Sequence, residues 1–113
     1  MLDWNEYQKQ FQQQIAEIGR TNRDIVKGYR ELTNAGSTTN LLGGKVRELI
    51  ALAVAVTRQC DGCIATHTDA AIQQGASKEE IVEALSVAVS VNAGAALIFS
   101  SRVMDAFHAK TLV

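Results

Sequence analysis

Two cysteines and a histidine stand close together in Cys60-Asp61-Gly62-Cys63-Ile64-Ala65-Thr66-His67. If this segment opens a helix, Cys60 and Cys63 lie one turn apart on one side, and His67 follows one turn further on that side. A helix N-terminus supplies partial positive charge and free N–H groups, which stabilise a thiolate. A histidine on the same face can take the thiol proton or hold the thiolate as an ion pair. The two sulfurs can close into a disulfide within one turn, so the arrangement suits a dithiol–disulfide cycle. Other chemistries fit less well. The thioredoxin use of C-x-x-C needs a βαβ context. A structural zinc site needs four ligands, and Cys60, Cys63 and His67 supply three, with only Glu48 or His108 to complete the set. The plain alternative is a pair of ordinary buried cysteines beside a chance histidine.

Glu48 precedes a run of apolar residues from Leu49 to Val56. From spacing alone it reads as a solvated glutamate near a helix start, with Lys45 and Arg47 as surface charges beside it. His108 and Trp4 carry no chemistry in this reading. Trp4 packs, and no second aromatic builds a base-stacking platform.

The elements that must position these groups are helical. Asp3 can cap a first helix to about Gly19, with Trp4, Tyr7, Phe11, Ile15 and Ile18 on one stripe. Thr21 can cap a second, which carries Ile25, Val26, Tyr29 and Leu32 and stops at Gly36. The polar segment from Ala35 to Gly44 is the main expected loop. A third helix runs from near Gly44 to about Gln59. It is apolar on every side, which predicts burial on every side. A fourth opens in the cysteine segment and ends before Gly75. Ser77 and Glu80 form a capping box for a fifth, Asn92-Ala93-Gly94 breaks it, and a sixth continues to about His108. The stretch from Val87 to Phe99 is read as buried helix. The fold expected is all-α, one domain of about six helices. The last two are rich in Ala, Ser and Gly, and with the third they present more apolar surface than so short a chain can hide, which predicts self-association.

Composition narrows the classes. A length of 113 residues fits one domain. Lys and Arg number 11 against 12 Asp and Glu, a balance that argues against a nucleic-acid partner held by phosphate neutralisation. The two cysteines sit too close together for a secreted disulfide scaffold. The N-terminal residues do not read as a secretory signal. The longest unbroken apolar run is far short of the roughly 20 residues of a spanning helix. A cytoplasmic chain without membrane contact is expected.

Three segments together carry a resemblance: Lys45-Val46-Arg47-Glu48-Leu49-Ile50-Ala51-Leu52-Ala53, then Cys60 to His67, then Gly75-Ala76-Ser77-Lys78-Glu79-Glu80-Ile81-Val82-Glu83-Ala84-Leu85. In this order they resemble the carboxymuconolactone decarboxylase-like family, and within it the alkylhydroperoxidase D-like branch. The resemblance covers about Leu41 to Phe107. It implies an all-helical, oligomeric fold, commonly a trimer or hexamer, with residues 1–40 as an N-terminal helical arm and 41–113 as the core. It implies a thiol-dependent peroxidase or disulfide reductase acting on a small hydroperoxide with a dithiol reductant as partner, and needing no cofactor or metal. Glu48, Cys60, Cys63 and His67 would form its proton relay, which gives Glu48 a role that spacing does not. The enzyme that defines the motif has a further histidine directly before the second cysteine. Here that position is Gly62, so the relay is shorter by one member. Two other functions stand beside this one. A γ-carboxymuconolactone decarboxylase-type lyase would not need the cysteine pair. A non-enzymatic zinc-binding or stress-response module would use it as ligands.

Overall fold

The computed structural model describes residues 1–112. Five helices account for nearly all of them: α1 (Trp4–Thr21), α2 (Arg23–Thr39), α3 (Gly44–Arg58), α4 (Asp61–Gln73) and α5 (Lys78–Thr111). No strand occurs among the described residues, so the all-α reading holds, with one helix fewer than expected.

Local chemistry explains the boundaries. Asp3 caps α1 by accepting from the Glu6 N–H at 3.1 Å. Asn22, not Thr21, caps α2, accepting from the Asp24 N–H at 3.1 Å. Thr21 belongs to the last turn of α1, where its hydroxyl bonds back to the Glu17 carbonyl at 3.0 Å. Helix α2 runs through Gly36 to Thr39, and the expected loop shrinks to 40–43. The hydroxyls of Ser37 and Thr38 are satisfied within the helix by the carbonyls of Asn34 and Ala35. Asn40 then ends it in the left-handed region at φ 48°, a conformation asparagine tolerates better than most residues. Arg47 reaches back from α3 to donate to Asn40 Oδ1 at 2.7 Å.

The expected break between a fifth and a sixth helix is absent. Asn92 does not compete with the backbone, because its Nδ2 donates to the Ala88 carbonyl at 2.7 Å and to Thr57 Oγ1 at 2.8 Å. A lone helical glycine such as Gly94 costs about 1 kcal/mol relative to alanine, too little to split a helix of 34 residues. At the other end the capping box forms as expected, with Ser77 Oγ accepting from the Glu80 N–H and Glu80 accepting from the Ser77 N–H.

Helix α3 is the hub, packed on α4 and α5, while α1 packs on α2 and α4. The interior is small. Leu52, Ala55, Ala65, Ala71 and Ala88 are the buried apolar residues. Two burial expectations fail. Ile50 and Val54 leave α3 half uncovered, at 49% and 54% exposure. In the Val87–Phe99 stretch, Val87, Val89, Val91, Leu97, Ile98 and Phe99 are exposed. Periodicity marks these faces as apolar, but the single chain holds no element to cover them. The radius of gyration is 19.0 Å, against about 13 Å for a compact chain of this length. Helix α5 is also long and apolar enough, by length and composition alone, to cross a membrane.

Lys45 Nζ meets Glu80 Oε2 at 2.8 Å and joins the starts of α3 and α5. Lys45, and behind it the Ser77 N–H, hold the Glu80 carboxyl below its ordinary range. A lowered pKa in the folded state adds stability at pH above the unfolded value, and that stability is lost as pH falls through the folded value. The melting temperature should therefore fall less steeply on acidification in Glu80→Gln than in the unaltered chain. Matching acid limbs in thermal melts would show that the pair contributes nothing.

Candidate active site at the start of helix α4

The corner between α3 and α4 is made by two residues. Gln59 turns the chain in the left-handed region at φ 53°, and its N–H closes α3. Cys60 follows in extended conformation as the N-cap of α4. Its Sγ accepts from the Cys63 N–H at 3.2 Å, in the place where serine or aspartate oxygens usually sit. The helix opens in the cysteine segment, as expected, and the two cysteines are joined as a disulfide with Cα atoms 5.2 Å apart. Both are partly buried.

His67 lies one turn beyond Cys63 on α4. Its Nδ1 is 2.7 Å from Glu48 Oε2, which comes from the second turn of α3. The two side chains are about one-quarter exposed, at 25% and 24%. Glu48 is thus not the solvated glutamate that spacing alone implies. A carboxylate only accepts, so Nδ1 carries the proton and Nε2 is left to accept one. The structure brings Glu48, Cys60, Cys63 and His67 to one corner of α3 and α4. His108 stays apart, exposed in the last turn of α5 beside Phe107. Among the described residues no group of three or more His, Cys, Asp and Glu is placed to hold a metal ion.

Gly62, between the two cysteines, faces α1. A Cβ there would stand 3.8 Å from the Phe11 ring and 3.9 Å from Tyr7 Oη. Trp4, Tyr7 and Phe11 stack edge to face along α1, with centroids 6.3 and 5.4 Å apart. The sequence shows these aromatics as a packing stripe and misses that Tyr7 and Phe11 roof the corner at Gly62, between the two cysteines. The i, i+3, i+7 spacing on α1 was the only available signal. Beyond them the site opens into a trough of about 1450 Å³. Cys60, Gly62, Cys63, Thr66 and His67 line one side, and Ile15, Ile25, Val26 and Tyr29 of the α1–α2 hairpin line the other.

Comparison with known proteins places this geometry in context. The model of the carboxymuconolactone decarboxylase family matches residues 23–106. An uncharacterized protein of Haemophilus influenzae is 40% identical over 105 residues, covering 93% of each chain. A Paracoccus denitrificans protein named as uncharacterized protein 4 in the cox locus is 32% identical over 90 residues, covering 80% of this chain and 81% of its own. Among solved structures, the apo form of a carboxymuconolactone decarboxylase family protein from Legionella pneumophila superposes with a TM-score of 0.75. It is 30% identical and the match covers 93% of this chain and 94% of that one.

The cap makes a separable prediction. In a Cys63→Ser background, which removes the disulfide, Cys60→Ser keeps a capping atom and Cys60→Ala does not. Chemical denaturation should find the alanine variant less stable by about 1 kcal/mol. Equal midpoints would show that a side-chain acceptor at position 60 adds nothing to α4.

Proposed function

The chain belongs to the carboxymuconolactone decarboxylase family, and on that premise we propose that it is a thiol-dependent reductase of small hydroperoxides, of the alkylhydroperoxidase D-like kind. Membership of a family that includes enzymes supports a catalytic role. The observation that carries the finer reading is the Cys60–Cys63 disulfide at a helix start, one turn from a histidine held by Glu48.

In this reaction Nε2 of His67 accepts the Cys63 thiol proton, with Glu48 fixing the ring through Nδ1. The Cys63 thiolate attacks the terminal oxygen of the hydroperoxide. A sulfur–oxygen bond forms, the oxygen–oxygen bond breaks, and the alkoxide leaves as an alcohol after taking a proton. Cys60, whose sulfur sits at the α4 N-terminus, draws on the helix end for stabilisation as a thiolate, while Cys63 draws on His67. Cys60 attacks the sulfenic sulfur of Cys63, and water leaves with a second proton. The peroxide has then gained two electrons and the dithiol has become a disulfide. A small dithiol reductant restores the pair by exchange. The same reading has the chain act as a homotrimer or homohexamer, supported by the uncovered apolar faces of α3 and α5.

Peroxide consumption, assayed with a panel of dithiols, should proceed with the unaltered chain and stop in Cys63→Ser. Mild oxidation should remove both free thiols together without loss of helix by circular dichroism. Lactone turnover that survives replacing both cysteines by serine would favour the lyase instead, and stoichiometric zinc would favour the metal module. His67→Ala should slow Cys63 alkylation by about 10²–10⁴, the usual range for general-base help. Because Glu48 acts through His67, the double variant Glu48→Gln, His67→Ala should be little slower than His67→Ala alone. Independent multiplication of the two effects would remove Glu48 from the relay.

A further inference from the structure

Two side-chain contacts fix how α5 lies on α3. Lys45 pairs with Glu80 at one end and Thr57 meets Asn92 at the other, so the helices run side by side in the same direction. Beyond Asn92, α3 has ended and α5 continues alone. Ala93–Thr111 is about 28 Å of helix at 1.5 Å per residue, and every large apolar residue on it is exposed. Phe99, Val103 and Phe107 follow at four-residue steps along one face, which Lys110 shares, with Met104 toward its edge. Ser101, Asp105 and His108 lie on the opposite arc together with the exposed Leu97 and Ile98, while Arg102 sits over the Phe99 ring at 5.0 Å. Large apolar side chains exposed around so long a stretch of helix call for a cover.

The accessible surface is 9000 Å². A compact monomer of this mass exposes roughly 6,100 Å². The excess, about 3,000 Å² per chain, exceeds the roughly 800 Å² per partner of an ordinary interface and reaches the obligate range. A second copy of the chain is therefore the fitting occupant. A bilayer fits less well, because the first half of α5 is tied at both ends to α3 and the free half carries Arg102, Asp105, His108 and Lys110.

The free rod has a matching receptor. The trough beside the cysteines, at about 1450 Å³, is larger than the roughly 300–1,000 Å³ of a small-molecule pocket. It lies between α4 and the α1–α2 hairpin. The hairpin wall exposes Ile25 and Tyr29. We infer that the free half of α5 from a second copy seats in this trough, so that the wall facing Cys60 and Cys63 is supplied in trans and the site is incomplete in one chain. The inference rests on the reading of the cysteine face as the site. It places bound substrate between the thiols of one chain and the Phe99–Phe107 face of another.

The test uses chains carrying Cys60→Ser and Cys63→Ser, which have no thiol cycle. One adds Tyr29→Cys, the other Val103→Cys. Co-expressed and treated with a bifunctional maleimide, the two should give a mixed-chain band that neither gives alone. In an otherwise unaltered chain, Val103→Asp with Phe107→Asp should lower the mass by light scattering to 12.2 kDa. Helix content should be retained and alkylation of the reduced cysteines should become faster. A monomeric mass for the unaltered chain, cross-links only between two Val103→Cys chains, or sedimentation with phosphatidylcholine–phosphatidylglycerol vesicles would each overturn the inference. The mixed cross-link in these variants, together with no peroxide reduction by the unaltered chain, would overturn the proposed reaction and leave this contact standing.

Discussion

A carboxylate three-quarters withdrawn from water needs a partner, and Glu48 finds it across a helix boundary in His67. A hydrogen bond with a charged group is worth about 1.5–3 kcal/mol net, a large share of the stability of so small a domain. The bond also sets a register. Helices α3 and α4 cannot slide past one another by a turn without parting the pair and leaving both groups unmatched. Gln59 and Cys60 have no slack to absorb such a slide, because the corner is a single left-handed residue followed by the cap of α4. The position of the thiols relative to the trough therefore follows from one contact between residues nineteen apart in sequence.

Much of the architecture was legible because helix ends are written in short-range chemistry. Asp3, the Ser77–Glu80 box and the cysteine segment announced their helices, and the structure has them there. The errors share a cause. Thr21, Gly36 and Asn92-Ala93-Gly94 carry the residue types of helix boundaries, but a boundary needs its polar groups to have no better partner. Asn92 has one in Thr57, and the hydroxyls of the α2 end have theirs in the preceding turn. Burial was misread for a different reason. Periodicity says that a face is apolar and is silent on what covers it, so Val54 and Phe99 looked like interior and are surface on the single chain.

The site was legible in halves. Spacing on one helix is enough to align Cys60, Cys63 and His67. It cannot reach Glu48, whose place depends on how two helices pack, and only the resemblance to a family pointed there. The aromatic roof was beyond both. Tyr7 and Phe11 meet Gly62 through a contact between α1 and α4 that no local pattern encodes.

Cys60 holds two positions at once, helix cap and one half of the disulfide, and in the proposed reaction these are one thermodynamic quantity. Whatever free energy the α4 N-terminus gives to a thiolate at Cys60, beyond what it gives to the same sulfur in a disulfide, favours the reduced state by that amount. The end of a helix would thereby bias the pair's electron affinity. A cap that grips the thiolate harder makes the oxidised pair a stronger oxidant toward its reductant, and fraying of the first turn of α4 would lower its potential. In that reaction the stability of one helical turn and the direction of electron flow are coupled in a single sulfur atom.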